Sequence, residues 1–87
     1  VNEGDMKLAI RKSLHLANDS NARNIVMLPP DCGTHDIYDT ARVQLSAIYT
    51  FLQTEKDITF KNIFIVMEDK ESLKAYQEYY KRVFKIR

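Results

Sequence analysis

The chain has 87 residues, the length of one domain at most. Its 13 Lys and Arg against 12 Asp and Glu leave a formal charge of +1, which disfavours a dedicated nucleic-acid binder with its strong basic excess. Hydrophobic residues at 45% exclude a disordered composition, and the longest apolar run, the five residues Ile63 to Met67, is far below the ~20 of a membrane helix.

Residues Asp5 to Asn18 place Met6, Ile10, Leu14 and Ala17 on one helical stripe, with Lys7, Arg11 and Lys12 turned away. Asp5 is the expected N-cap, and the run Asn18-Asp19-Ser20-Asn21 ends the helix in a turn. Asn24 to Leu28 reads as a short strand buried on both faces, stopped by Pro29-Pro30. After the loop Asp31 to Asp39, a second helix is predicted over about Thr40 to Gln53, capped by Asp39 or Thr40, with Ala41, Leu45, Ile48 and Leu52 aligned. Ile58-Thr59-Phe60 fits no single element. Asn62 to Met67 is the clearest strand, again apolar throughout, as in the interior of a parallel sheet. Asp69 is the cap of a last helix reaching about Lys85, with Leu73, Tyr76, Tyr80 and Val83 on its inner stripe.

The order α-β-α-β-α implies an α/β fold with parallel strands. Two buried strands make a poor sheet, so further strands are expected from another segment or another chain. A core this small is marginal, and a chain beginning at Val1 is expected to be an excised or cleaved piece, or part of a larger protein. No secretory leader is predicted, since the N-terminal residues lack an apolar centre. The single cysteine, Cys32, leaves no internal disulfide and no multi-cysteine zinc site. An intracellular location, nuclear or cytoplasmic, is the expectation.

In open α/β sheets, ligands bind beyond the carboxyl ends of the strands. Two segments fall there: the loop Pro29 to Asp39 and the exit Glu68-Asp69. Amides at the start of the second helix favour an anion, while Asp31, Asp36 and Asp39 oppose one or serve as caps. Cys32 and His35 can be imagined as nucleophile and base, but their spacing is not diagnostic. The last helix carries lysines interleaved with Tyr76, Tyr79 and Tyr80, which could meet a nucleic acid. Packing of those tyrosines and the helix dipole account for the pattern better.

The stretches AIRKSLHLANDSNARNIVMLP, CGTHDIYD, ARVQLSAIYTFL and KNIFIVMEDKESLKAYQEYY, in that order, resemble the C-terminal half of a macro domain. The details that carry the resemblance are Ala17-Asn18, Leu28-Pro29, Gly33-Thr34, Ile37-Tyr38 and the strand exit Phe64 to Asp69. The resemblance implies a three-layer α/β/α fold, with residues 1–87 a single macro-like domain or the C-terminal part of one. It also implies a non-catalytic module that recognises ADP-ribose or ADP-ribosylated protein, needing no cofactor or metal. By this resemblance Gly33 and Thr34 open the loop that wraps the diphosphate, His35 lies within it, Ile37 and Tyr38 close it, and Met67 lies by the adenine.

The loop departs from the family pattern. His35-Asp36 replaces one glycine and Asp39 the closing glycine, bringing carboxylates where a diphosphate would lie. The family's N-terminal half, with its Asn motif and first glycine loop, has no counterpart in these residues. The alternative expectation is therefore a diverged module that serves as a protein-interaction or structural segment without binding ADP-ribose. No catalytic residue is assigned.

Overall fold

A computed structural model of the chain describes residues 2–30 and 36–85. The elements are α1 (Glu3–Asp19), β1 (Asn24–Met27), α2 (Ile37–Thr54), β2 (Asn62–Ile65) and α3 (Lys70–Phe84). The predicted order α-β-α-β-α is the observed one. The two strands pair in parallel, with Asn24 opposite Asn62 and Val26 opposite Phe64.

Helix α1 begins earlier than expected. Asn2, not Asp5, is its cap, and the Asn2 carboxamide accepts from the Asp5 N–H at 2.8 Å. Its end is a left-handed turn. Asn21 has φ 58°, its N–H donates to the Asn18 carbonyl, and the Ala22 N–H reaches the Ala17 carbonyl. That double closure is a Schellman motif, with asparagine in the position that glycine usually takes. Helix α2 also starts sooner, at Ile37. Asp36 caps it by accepting from the Asp39 N–H at 2.8 Å, so the expected cap at Asp39 or Thr40 is corrected. Asp69 caps α3 as expected, accepting from the Ser72 N–H at 2.6 Å.

Helix α2 occupies the centre, packed against α1 on one side and α3 on the other. Met6, Ile10 and Leu14 of α1 meet Val43, Ala47, Ile48 and Phe51 of α2, and Ile25, Met27, Ile63 and Ile65 of the strands close this cluster. A second cluster joins Ala41 and Leu45 to Ala75 and Tyr76 of α3. Because side chains alternate along a strand, the residues between these face away from the helices. Val26 is 67% exposed and Phe64 50%, and Leu28 and Val66 lie beside them, also exposed.

The expectation of strands buried on both faces, and of three layers, is therefore not met: the described residues form two layers. The physical reason is that the strands are apolar on both faces while all three helices pack on one. The inner stripe of α3 is corrected as well. Ala75 and Tyr76 are buried, but Leu73 and Tyr80 are each 46% exposed. They lie where α3 extends past the last strand.

Ile58, Thr59 and Phe60 belong to neither strand. Side-chain hydrogen bonds hold this approach to β2. The Asn18 Nδ2 donates to the Asp57 carbonyl at 3.1 Å, and its Oδ1 accepts from the Thr59 N–H at 2.9 Å. The Thr59 hydroxyl donates to the Ala22 carbonyl at 2.8 Å. His15 is half-buried and stands edge-on to Phe51 with ring centres 4.9 Å apart, and its Nδ1 is 3.0 Å from a Glu55 carboxylate oxygen.

Candidate functional site

The strands are parallel, so their carboxyl ends open at the same end of the sheet. β1 leads into Leu28-Pro29-Pro30 and β2 into Val66 to Asp69, while α2 presents its first turn between them. Of the residues expected to bind a ligand, Ile37, Tyr38 and Met67 come together. All three pack on the cluster of Ala41, Leu45, Ala75 and Tyr76. Tyr38 also meets Tyr79 edge-on, with ring centres 6.4 Å apart, and the Arg82 guanidinium lies over the Tyr79 ring at 5.4 Å. Gly33, Thr34 and His35 lie outside the described residues, as do Asp31 and Cys32. The nucleophile and base imagined for Cys32 and His35 thus fall there too.

Two carboxylates border the site, and each has a local partner. Asp36 is occupied by the cap of α2. Asp39, one turn on, lies 3.8 Å from the Arg42 guanidinium, which also pairs with Glu3 at the start of α1. Arg42, one turn into α2, is a cation beside Asp39 that the sequence alone did not single out. Its spacing of three from Asp39 was the available signal, since residues three and four apart are neighbours on a helix. All three side chains are substantially exposed, so the pairing carries little stability of its own. Its effect is to offset the negative charge of Asp39.

Beneath the site lies a buried polar relay that the sequence did not reveal. The Tyr76 hydroxyl donates to the Gln44 Oε1 at 2.6 Å, and the Gln44 Nε2 donates to the Leu28 carbonyl at 3.3 Å. The relay runs from α3 through α2 to the last residue before Pro29-Pro30, and so fixes the exit of β1 against the helices.

On the other flank, Met67, Glu68, Asp69, Lys70 and Leu73 line a shallow cavity of about 360 Å³ with Ile65. Asp69 is held below the usual carboxylate range, chiefly by the backbone N–H of Ser72, then by the Ser72 hydroxyl. It is a structural anion that completes the start of α3. Ala17-Asn18, which contributed to the resemblance, lies away from this end, with Asn18 spent on the approach to β2. No protein-family model matches the chain, and no curated protein matches its sequence.

Among the described residues no helix is long and apolar enough to cross a membrane.

Proposed function

We propose that the chain is the C-terminal part of a macro-like module whose strand-end site recognises ADP-ribose or ADP-ribosylated protein without catalysis. The observation that carries this reading is the convergence of Ile37 and Tyr38 with Met67, distant in sequence, on one cluster beyond the strand ends. An apolar shelf of that kind suits a base and a ribose. The first-turn amides of α2 favour a diphosphate, and Arg42 beside Asp39 lowers the repulsion that the loop carboxylates would impose. A nuclear or cytoplasmic setting goes with such a ligand. A third layer of helices would come from outside these residues and cover Val26 and Phe64.

The test is a thermal melt with and without millimolar ADP-ribose, with AMP as control. Ligand at about 100 times its dissociation constant adds ~2.7 kcal/mol and moves the melt by several degrees. A cooperative melt that ADP-ribose does not move would end this reading.

The open sheet favours a second reading, that of an interaction segment whose sheet is completed from outside. Among the described residues β1 and β2 each have one neighbour, and the helix-free face carries the exposed apolar side chains Val26, Leu28, Phe64 and Val66. A defined assembly formed without ADP-ribose would support it.

A further inference from the structure

Neighbouring helices pack about 8–10 Å apart and neighbouring strands about 4.8 Å apart. Three helices side by side therefore cover about five strands, and among the described residues this sheet has two. The excess width falls at both edges, and at the β2 edge it leaves a groove of about 430 Å³. Ile63 and Ile65 form one wall, Leu73, Tyr80 and Phe84 of α3 overhang it, and α2 closes the floor.

The open wall is a hydrogen-bonding edge. The N–H groups of Asn62 and Val66 go to the Arg23 and Met27 carbonyls on the β1 side. By the two-residue alternation of a strand, the N–H and C=O groups of Ile63 and Ile65 point to the free edge. The groove is also rimmed by cations. Lys61 lines it at the start of β2. On α3, Lys70, Lys74 and Lys81 fall with Gln77 at helical spacings of four, three and four, along the outer flank of the overhang. All four lysines are exposed and none is ion-paired among the described residues. Glu71 and Glu78, seven apart, share the far flank, with Glu78 bound to Arg82 at 2.9 Å, and Glu68 and Asp69 lie at the α3 start, where Asp69 serves as the cap.

From this arrangement we infer that the groove takes an extended polypeptide strand from outside these 87 residues, apolar at alternate positions and flanked by acidic residues, added as a third strand beside β2. Its backbone meets the edge of Ile63 and Ile65, its apolar side chains fill the space beneath Leu73 and Tyr80, and its acidic flanks meet the lysine rim. A second copy of this chain does not fit through its own β2 edge. Two α3 helices would overhang the same strand pair, and two lysine rims would face each other. This inference rests on the second reading above, that the sheet is completed from outside, and holds whether or not ADP-ribose binds.

The test uses the full chain and a fluorescein-labelled peptide, Glu-Asp-Val-Thr-Val-Thr-Ile-Asp-Glu, read by fluorescence anisotropy and by amide NMR shifts. Saturable binding is expected, with the largest shifts at Ile63 and Ile65 and an affinity that falls as salt rises. The charge reversal Lys74→Glu with Lys81→Glu should weaken it about tenfold, given about 0.7 kcal/mol for each exposed pair. A peptide with lysine flanks should prefer that variant. Leu73→Asp, whose fold is checked by circular dichroism, should abolish binding. No saturable binding at millimolar peptide would overturn the proposal, as would shifts confined to Val26 and Phe64. A single-stranded oligonucleotide that displaces the peptide and binds more tightly would overturn it in favour of a nucleic-acid surface. The ADP-ribose melt reads a ligand at the carboxyl ends of the strands, whereas the amide shifts read the β2 edge at Ile63 and Ile65, so failure of the one and failure of the other are separate results.

Discussion

The Tyr76 hydroxyl and the Gln44 carboxamide meet at 2.6 Å, both side chains buried where α2 and α3 cross. Removing the hydroxyl would leave the Gln44 oxygen without this donor in a dry interface. Tyr76→Phe is expected to cost about 1–3 kcal/mol of stability. In Tyr76→Phe with Gln44→Leu both polar groups are gone, and the loss should be smaller than the sum of the two single losses. Urea unfolding of the three variants measures the difference. Additive losses would mean that the pair is not coupled.

Asn18 ties the end of α1 to one distant segment, the approach to β2, through the Asp57 carbonyl and Thr59. Asn18→Ala is expected to cost about 2 kcal/mol, the sum of two modest hydrogen bonds. Hydrogen exchange should locate the effect, with the Thr59 amide losing more protection than the amides of α3. A uniform loss throughout the chain would contradict a local role.

At the strand-end site, the charge of Asp39 opposes a diphosphate even with Arg42 nearby. Asp39→Asn should therefore tighten ADP-ribose binding about fivefold, the equivalent of roughly 1 kcal/mol for one exposed charge. Calorimetric titration of the variant beside the parent chain is the measurement. Unchanged or weaker binding would place the diphosphate away from the first turn of α2.

Asp69 gives a dependence on pH. Its folded-state pKa lies below the ordinary carboxylate value, owing first to the Ser72 backbone N–H. A lowered folded value means stabilisation that is fully present above the unfolded pKa and is lost as pH falls through the folded one. Asp69→Asn keeps a cap but cannot titrate. The difference in melting temperature between parent and variant should shrink as pH falls from about 6 to about 3. A difference that stays constant over that range would show that the carboxylate charge contributes nothing.

Much of the fold was legible in the residues. The Met6, Ile10, Leu14 stripe, the two apolar runs and the Asp69 cap all lie where period and chemistry put them. The caps of α1 and α2 were missed for one reason. Asn2 precedes Asp5 by three, and Asp36 precedes Asp39 by three, so each helix offered two capping residues, and the earlier one reached the amide of the later. Layer number was illegible on principle, because Ile63 and Phe64 are equally apolar and only the helices decide which is covered. Leu73 and Tyr80 fall on the inner stripe by helical period, yet among the described residues no strand lies beneath them. Gln44 reads as a polar helix position, and nothing near it in sequence signals that Tyr76 and Leu28 will surround it. Beyond the strand ends, Ile37, Tyr38 and Met67 are residues that the resemblance points to and that pack on one cluster, while Arg42 was open to the rule of helical neighbours.

Across the helix-free face, the Asn62 Nδ2 donates to the Asn24 Oδ1 at 2.9 Å, one rung below the Val26 and Phe64 pair. This polar contact marks alignment in a sheet whose other side chains are interchangeable hydrophobes. Sliding β2 by one residue would carry Asn62 onto the side packed by α2, and sliding it by two would set Asn24 against Phe64. Four-residue strands of Ile, Val, Phe and Met could otherwise pair in several ways of similar energy. The two asparagines contribute little binding energy at an exposed position, yet they make one of those pairings distinct from the rest.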